Sequence, residues 1–328
     1  MTNPLTTVYK PRHLCADLVE IKNNGLQLGL YMALVLGHKP LLDDWIRKNR
    51  LAEFIKACRG YGIHVRQDVA FRNVGKDTVP ATVLGRERLT TTCAYAKRPG
   101  EATDEEVHVF LSKDKNVLKK AMWYPVIVNN RVIFAPRADH LKYGTVLGYP
   151  SCCIRFFRAR NDWTKYSHLY EAMRNTNGKF QPLCNPLLKD TIYSYIYHMP
   201  CRYDCPQTQK LAGRLRKAIL KHEPGYVKRA DDFLSRPYLV FYERKFYGFQ
   251  GSVDKKGLLR YRSVFFPCPD TSKNILEKDL AAADALKMEG RACVLFKKNK
   301  IVKRLSTPLT DFAPEYPFLA DFSQGRTG

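Results

Sequence analysis

Apolar residues recur at helical spacing near the start of the chain. Residues 26–40, LQLGLYMALVLGHKP, are apolar on nearly every side and end at Gly37 and Pro40, which predicts a buried helix. Residues 41–62 carry apolar side chains three and four positions apart before the stop at Gly60. The pattern therefore predicts a second helix over this segment.

Strand-like alternation follows in residues 63–71, IHVRQDVAF. The Gly-, Pro- and Thr-containing residues 74–105 then indicate loops and a boundary. The next segments predict a β-α-β-β succession in which the last two strands meet at Asn129 and Asn130. Its predicted elements are a strand over 106–112, a helix over 113–123, and strands over 124–130 and 131–136.

Helical patterns return in the middle of the chain, over 140–149, 151–163 and 205–223. After Pro237 the pattern changes to aromatic-rich strands with glycine-containing turns. A short helix is predicted over 275–288 and a hairpin over 293–305.

Together these patterns predict an α+β protein with a helical and mixed-sheet body and a small β-rich C-terminal module. The predicted ranges are 1–73 for an N-terminal helical segment with a strand, 74–236 for the core, and 237–328 for the C-terminal module with a terminal tail.

Charge adds a prediction about partners. Lysine and arginine number 55 against 31 acidic residues, which leaves a net charge of +24 and favours an anionic small molecule or nucleic acid as partner. Basic residues occur in nearly every segment, so an ordinary basic surface explains the same composition.

The N-terminal residues lack a secretory h-region, and the longest apolar run, 26–36, is far shorter than the roughly 20 residues that cross a bilayer. We therefore expect a cytoplasmic protein without a membrane segment. In that reducing compartment the ten cysteines favour metal or redox chemistry over a disulfide framework.

Two cysteine pairs carry the chemistry that the sequence predicts. Cys152 and Cys153 follow Pro150 at a predicted helix start, and Cys201 and Cys205 precede a second helix that begins at Pro206. Unpaired N–H groups and the helix dipole stabilise thiolates at such positions. The isolated cysteines are expected to be small buried residues: Cys15, Cys58, Cys93, Cys268 and Cys293.

If the pairs converge, they form a metal site. An iron–sulfur cluster takes thiolate ligands, and zinc takes cysteine together with histidine. His198, three residues before Cys201, is a candidate ligand or proton donor, and Cys184 is a weaker candidate. A thiol-disulfide relay and chance packing are the alternatives.

At these residues the chain resembles an uncharacterised prokaryotic family, the domain of unknown function numbered 483. The resemblance rests on DHLKYGTVLGYPSCC at 139–153 and YSYIYHMPCRYDC at 193–205, with support from GLYMALVLGHKP and the strands FYGFQG and YRSVFF. It implies a shared core on Cys152, Cys153, His198, Cys201 and Cys205. It implies no activity.

Two other histidines have ordinary structural explanations beside a functional one. Asp139 and His140 could form a proton-transfer dyad, although Asp139 as an N-cap explains the same pattern. His108 alternates within a strand, which favours a packed or surface residue. Tyr193, Tyr195 and Tyr197 recur every second residue and favour aromatic packing.

Arginines follow the first cysteine pair. Arg155, Arg158 and Arg160 could bind an anionic substrate or phosphate, or could form a solvated basic face. The next helix carries further basic residues that could bind an anion or form a solvated basic face: Arg214, Arg216, Lys217 and Lys221.

The leading hypothesis is an iron–sulfur or other metal-dependent enzyme that performs redox or group-transfer chemistry on an anionic substrate. The first alternative is a zinc-stabilised nucleic-acid-binding protein, and the second is a thiol-disulfide redox protein.

Overall fold

The computed structural model describes the greater part of the chain: residues 13–22, 27–73, 94–97, 105–122, 126–128, 131–133, 140–160, 168–189, 191–242, 245–265, 275–290, 292–306 and 317–325. These residues form helices and two antiparallel sheets, which confirms the predicted α+β class. The chain divides into two compact units, and the domain ranges predicted from the sequence stay a prediction. One unit holds residues 8–165 and 214–224, and the other holds 1–7, 166–213 and 225–328.

The first unit contains a six-stranded sheet in the order β1-β4-β2-β3-β6-β5. Its strands are β1 (Leu42–Arg47), β2 (His64–Asn73), β3 (Ala94–Lys97), β4 (Glu105–Ser112), β5 (Val126–Val128) and β6 (Arg131–Ile133). Its helices are α1 (Ala16–Ile21), α2 (Leu28–Val35), α3 (Lys48–Gly60), α4 (Lys115–Lys120), α5 (His140–Val146) and α6 (Ser151–Ala159).

The prediction of one helix over 41–62 was wrong in its first half, because β1 precedes α3 there. Helices cover both faces of the sheet at β1, and the adjacent residues Asp43 and Asp44 point to opposite faces. Asp44 pairs with Lys22 on one face, and Asp43 pairs with His108 on the other. The buried Asp44 and the partly buried Asp43 interrupt the apolar alternation by which a strand is recognised.

Helices cover the two faces of this sheet. Tyr31 of α2 donates a hydrogen bond to Asp44 and packs edge-on against Phe54 of α3. On the opposite face, Phe110 of β4 forms a buried cluster with Leu118 of α4 and with Leu147, which follows α5. The turn that leads to α6 is therefore anchored to the sheet.

The second half of the chain carries a seven-stranded sheet in the order β12-β11-β10-β9-β8-β7-β13. Its strands are β7 (Pro237–Tyr242), β8 (Lys245–Val253), β9 (Leu258–Phe265), β10 (Ala285–Glu289), β11 (Ala292–Lys297), β12 (Lys300–Ser306) and β13 (Phe318–Asp321). The helices of this half are α7 (His168–Arg174), α8 (Pro206–Leu220), α9 (Pro224–Leu234) and α10 (Ile275–Ala282).

The strand-rich C-terminal region is confirmed, but the predicted helix over 275–288 is too long. Helix α10 ends at Ala282, and β10 begins at Ala285 because Leu286 is buried in the sheet core with Leu280 of α10. The four-residue β13 has no counterpart among the predicted strands, since it gains its strand geometry by pairing with β7. No helix in the described ranges is long and apolar enough to span a bilayer.

Candidate metal centre

Helix α6 begins where the sequence predicted, one residue before the first cysteine pair. Pro150 is the N-cap, and its carbonyl accepts hydrogen bonds from the N–H groups of Cys153 and Ile154, at 2.9 and 3.0 Å. Ser151 is the first helical residue and is exposed. Cys152 and Cys153 consequently occupy the first turn.

The two thiols of this pair have different surroundings. Cys153 is buried, with 2% of its surface exposed, whereas Cys152 is partly exposed. Their sulfurs lie 3.8 Å apart, far beyond the roughly 2.05 Å of a disulfide bond. Neither cysteine is in a disulfide, so both sulfurs can act as ligands.

The second pair lies at the start of α8. The N–H of Cys205 donates to the carbonyl of Arg202 at 3.2 Å, and the N–H of Gln209 donates to the carbonyl of Cys205 at 3.0 Å. Cys205 thus occupies the N-cap position, with Pro206 as the first helical residue. Asp204 fixes the turn from the side, because its Oδ2 accepts a hydrogen bond from the N–H of Gly178 at 3.0 Å.

The four sulfurs of Cys152, Cys153, Cys201 and Cys205 all lie within 4.8 Å of one another. Within the described ranges, these four cysteines are the one group of three or more histidine, cysteine, aspartate or glutamate side chains that could hold a metal ion. Two of the thiols are buried and two are partly exposed. The prediction that the two pairs converge is confirmed, and the cluster can bind a metal ion.

His198 is close in sequence but does not belong to that group of ligand atoms. It is buried, with 6% exposed, and its Nε2 lies 3.0 Å from the hydroxyl oxygen of Thr208 in the first turn of α8. The contact joins the loop before Cys201 to the helix that follows Cys205. A ligand or proton-donor role for His198 stays a prediction.

Cys184 lies beside the cluster. It is fully buried, and its sulfur lies 3.5 Å from the carbonyl oxygen of Cys205, to which the thiol donates. Burial, reinforced by the charge of Cys205, raises the pKa of Cys184 well above its usual value. Cys184 is therefore a protonated neighbour of the ligand set. In the sequence Cys184 is a weaker candidate because it stands alone and not in a pair.

The proposed Asp139–His140 dyad is described only in part, because Asp139 lies outside the described residues. The ring of His140 packs edge-on against Phe157 of α6, with 5.0 Å between ring centroids. His140 thus contacts the helix that carries Cys152 and Cys153, and its catalytic role stays a prediction.

The predicted arginines lie on α6 beyond the cysteines. Arg155 and Arg158 are exposed, and Arg160 is partly exposed. Because Arg155 and Arg158 are three residues apart, they lie on the same side of the helix. Their role in binding an anionic substrate stays a prediction.

The packed role expected for His108 is confirmed, with an addition that the sequence did not reveal. The fully buried ring lies between two carboxylates, with Nδ1 3.2 Å from Asp68 and Nε2 3.3 Å from Asp43. The hydroxyl of Tyr143 on α5 donates to Asp43 at 2.5 Å. Burial lowers the pKa of His108, but its hydrogen bonds to both aspartates and their charges outweigh burial and raise it.

A β-bulge brings Asp68 to this ring. Gln67 of β2 pairs with Val109 and Ala70 pairs with Val107, so two residues of β2 face His108 alone. Acids 65 and 40 positions away in the chain could not be assigned to His108 from local patterns.

The predicted packing role of the tyrosines is confirmed for the first two. Tyr193 and Tyr195 are buried, and Tyr193 stacks on Phe233 with 5.0 Å between ring centroids. Tyr195 packs edge-on against Tyr226.

Comparisons with family models, curated proteins and solved structures found no match for this chain. The resemblance to the domain of unknown function numbered 483 therefore stays a prediction, and the cysteine cluster is the feature of the described residues that points to a function.

Proposed function

We propose that the four cysteines hold one zinc ion in a closed tetrahedral site and that the ion has a structural role. The mutual distance of the sulfurs, at most 4.8 Å, carries this proposal. Zinc binds thiolate at about 2.3 Å, so the sulfurs of a tetrahedral site lie about 3.8 Å apart. Cys152 and Cys153 already have this separation of 3.8 Å.

The same distances favour one ion over the iron–sulfur cluster of the leading sequence-based hypothesis. The four thiolates of a cluster are shared among two or more iron atoms, so some of their sulfurs stand farther apart than the ligands of a single ion. Four sulfurs also fill the coordination sphere of zinc. Catalytic zinc sites keep one position open for water or substrate, whereas structural sites are closed.

The position of the ligands supports a structural role. Cys152 and Cys153 lie in the first turn of α6, and Cys205 caps α8. An ion bound by all four thiolates would hold both helix starts in place. Helix N-termini carry partial positive charge, which stabilises the thiolates that bind the metal.

Elemental analysis of anaerobically purified protein tests the proposal. We expect one zinc per chain and no visible colour, and replacement by Co²⁺ should give the visible bands of tetrahedral thiolate coordination. C152S and C201S, which remove the two partly exposed ligands, should each lose most of the bound zinc.

C184A is the matched control, because Cys184 lies beside the cluster but outside the ligand set. It should retain one zinc per chain. Brown protein with several irons and sulfide per chain would overturn the proposal in favour of a cluster. Metal-free protein whose thiols oxidise reversibly would overturn it in favour of a thiol-disulfide relay.

A further inference from the structure

Helix α8 and the residue that follows it carry a row of four cations, which we call the α8 ridge: Lys210, Arg214, Lys217 and Lys221. The spacing of four, three and four residues places them on one side of the helix, and all four are exposed. The opposite side is buried through Ala212, Leu215 and Ile219. The ridge is therefore a continuous basic strip on an anchored helix.

Among the described residues the ridge lacks counter-ions. Residues 206–220 contain no aspartate or glutamate. Glu223, the nearest acid that follows along the chain, is engaged by His13 and by the N–H of Leu14, at 2.8 and 2.7 Å. Within the described part of the chain, none of the four cations takes part in an ion pair. Their charges are thus available to an external partner.

We propose that the α8 ridge binds the phosphates of a nucleic-acid backbone. The distance from Lys210 to Lys221 along the helix axis is about 16 Å, which is long enough to follow several phosphates of one strand. The four cations lie in one row along the helix, so their charges do not converge on a small anion. The apolar side of α8 is buried in the protein and cannot insert into a lipid surface.

The composition of the ridge predicts how it binds. Three of its four members are lysines, which act as flexible point charges and contact phosphate without reading bases. Binding should therefore depend strongly on salt and little on base sequence. Because the ridge contacts phosphate only, duplex DNA and single-stranded RNA are both suitable probes.

Fluorescence anisotropy with a labelled DNA duplex and a labelled RNA strand tests the proposal in the full-length protein. The logarithm of the binding constant for the duplex should fall with the logarithm of salt concentration with a slope of about −0.9 per phosphate contacted. Four contacts give a slope of about −3.6, and K210Q/K217Q should reduce it to about −1.8.

K255Q/K256Q is the matched control, because Lys255 and Lys256 are exposed in the turn between β8 and β9 and change the net charge equally. Its slope should equal that of the unmodified protein. Equal losses in both variants, or binding that salt does not weaken, would overturn the proposal. Polyglutamate that displaces the duplex as effectively as unlabelled DNA would also overturn it, in favour of an acidic protein partner.

Discussion

His198 makes a polar contact beside the cysteine cluster. Its Nε2 contacts the hydroxyl of Thr208, which lies three residues after Cys205. Cys201 lies in the loop between His198 and α8, and the contact ties the two ends of that loop together. We therefore expect His198 to position this loop, and its predicted role as a ligand or proton donor stays a prediction.

A double-mutant cycle separates these roles. T208V keeps the shape of the side chain, and we expect it to lower the free energy of unfolding by about 1 kcal/mol, the usual value of one hydrogen bond. H198N should cause a similar loss, and the double variant should lose less than the sum. All three should retain one zinc per chain. Loss of zinc from H198N alone would identify His198 as a ligand.

The raised pKa of His108 predicts how the stability of the protein depends on pH. A histidine whose folded-state pKa is raised contributes stability below its unfolded pKa of about 6.5, and the contribution is lost as pH rises through the folded-state pKa. Asp43, Asp68 and Tyr143 face the ring, and Lys39 lies near Asp43. The network should therefore weaken on the alkaline side.

Urea unfolding of the unmodified protein and of H108Q should show this directly. The difference in unfolding free energy between them should be largest near about pH 6 and should shrink at higher pH. D68N removes one carboxylate partner, so the NMR-determined pKa of His108 should be lower in that variant. A stability difference that stays constant with pH would contradict a charged His108.

Helices α5 and α6 depend on a close approach at Gly144. A Cβ atom at this position would lie 2.8 Å from Cγ1 and 3.0 Å from Cδ1 of Ile154. Glycine therefore lets the two helices pack closely, and α6 carries Cys152 and Cys153. The resemblance motif includes this glycine, but the reason for it lies in the packing of the two helices.

G144A should lower the free energy of unfolding by about 1–2 kcal/mol, since overpacking outweighs the better helix propensity of alanine. I154A alone should cost about 2–5 kcal/mol through the cavity it leaves. In the double variant the methyl group introduced at position 144 occupies part of that cavity, so the loss should be smaller than the sum. Additive losses, measured by chemical denaturation, would show that the two residues do not compete for space.

Among the elements, those with local signals are the best predicted. The starts of α6 and α8 follow from Pro150 and Pro206, because proline at a helix start acts within one turn. Strand β1 was not predicted because partners from distant segments stabilise its two aspartates, Asp43 and Asp44. Strand β13 escapes it because its four residues become a strand only through pairing with β7.

At the scale of the whole molecule, the metal should contribute to folding. A ligand that binds the folded state alone raises its stability, and the four sulfurs come together only after folding. The net charge of +24 opposes compaction, which increases the importance of such a link.

Removal of the metal by a chelator under reducing conditions should lower the melting temperature of the unmodified protein and of C184A. Stoichiometric zinc should restore it in both. C152S should melt at the lower temperature with or without zinc, because its ligand set is incomplete. Differential scanning calorimetry measures the melting temperatures of the three proteins. If the chelator also lowers the melting temperature of C152S, the stabilising metal is bound elsewhere.

The amino-acid sequence by itself determined the positive charge, the α+β class, and the placement of two cysteine pairs at helix starts. Each of these depends on composition or on interactions within a few residues. The tertiary structure decided that the four sulfurs lie within 4.8 Å, that His108 meets two aspartates, and that His198 contacts Thr208. These contacts join particular side chains of separate segments, and the apolar periodicity of the sequence does not show which of those side chains meet.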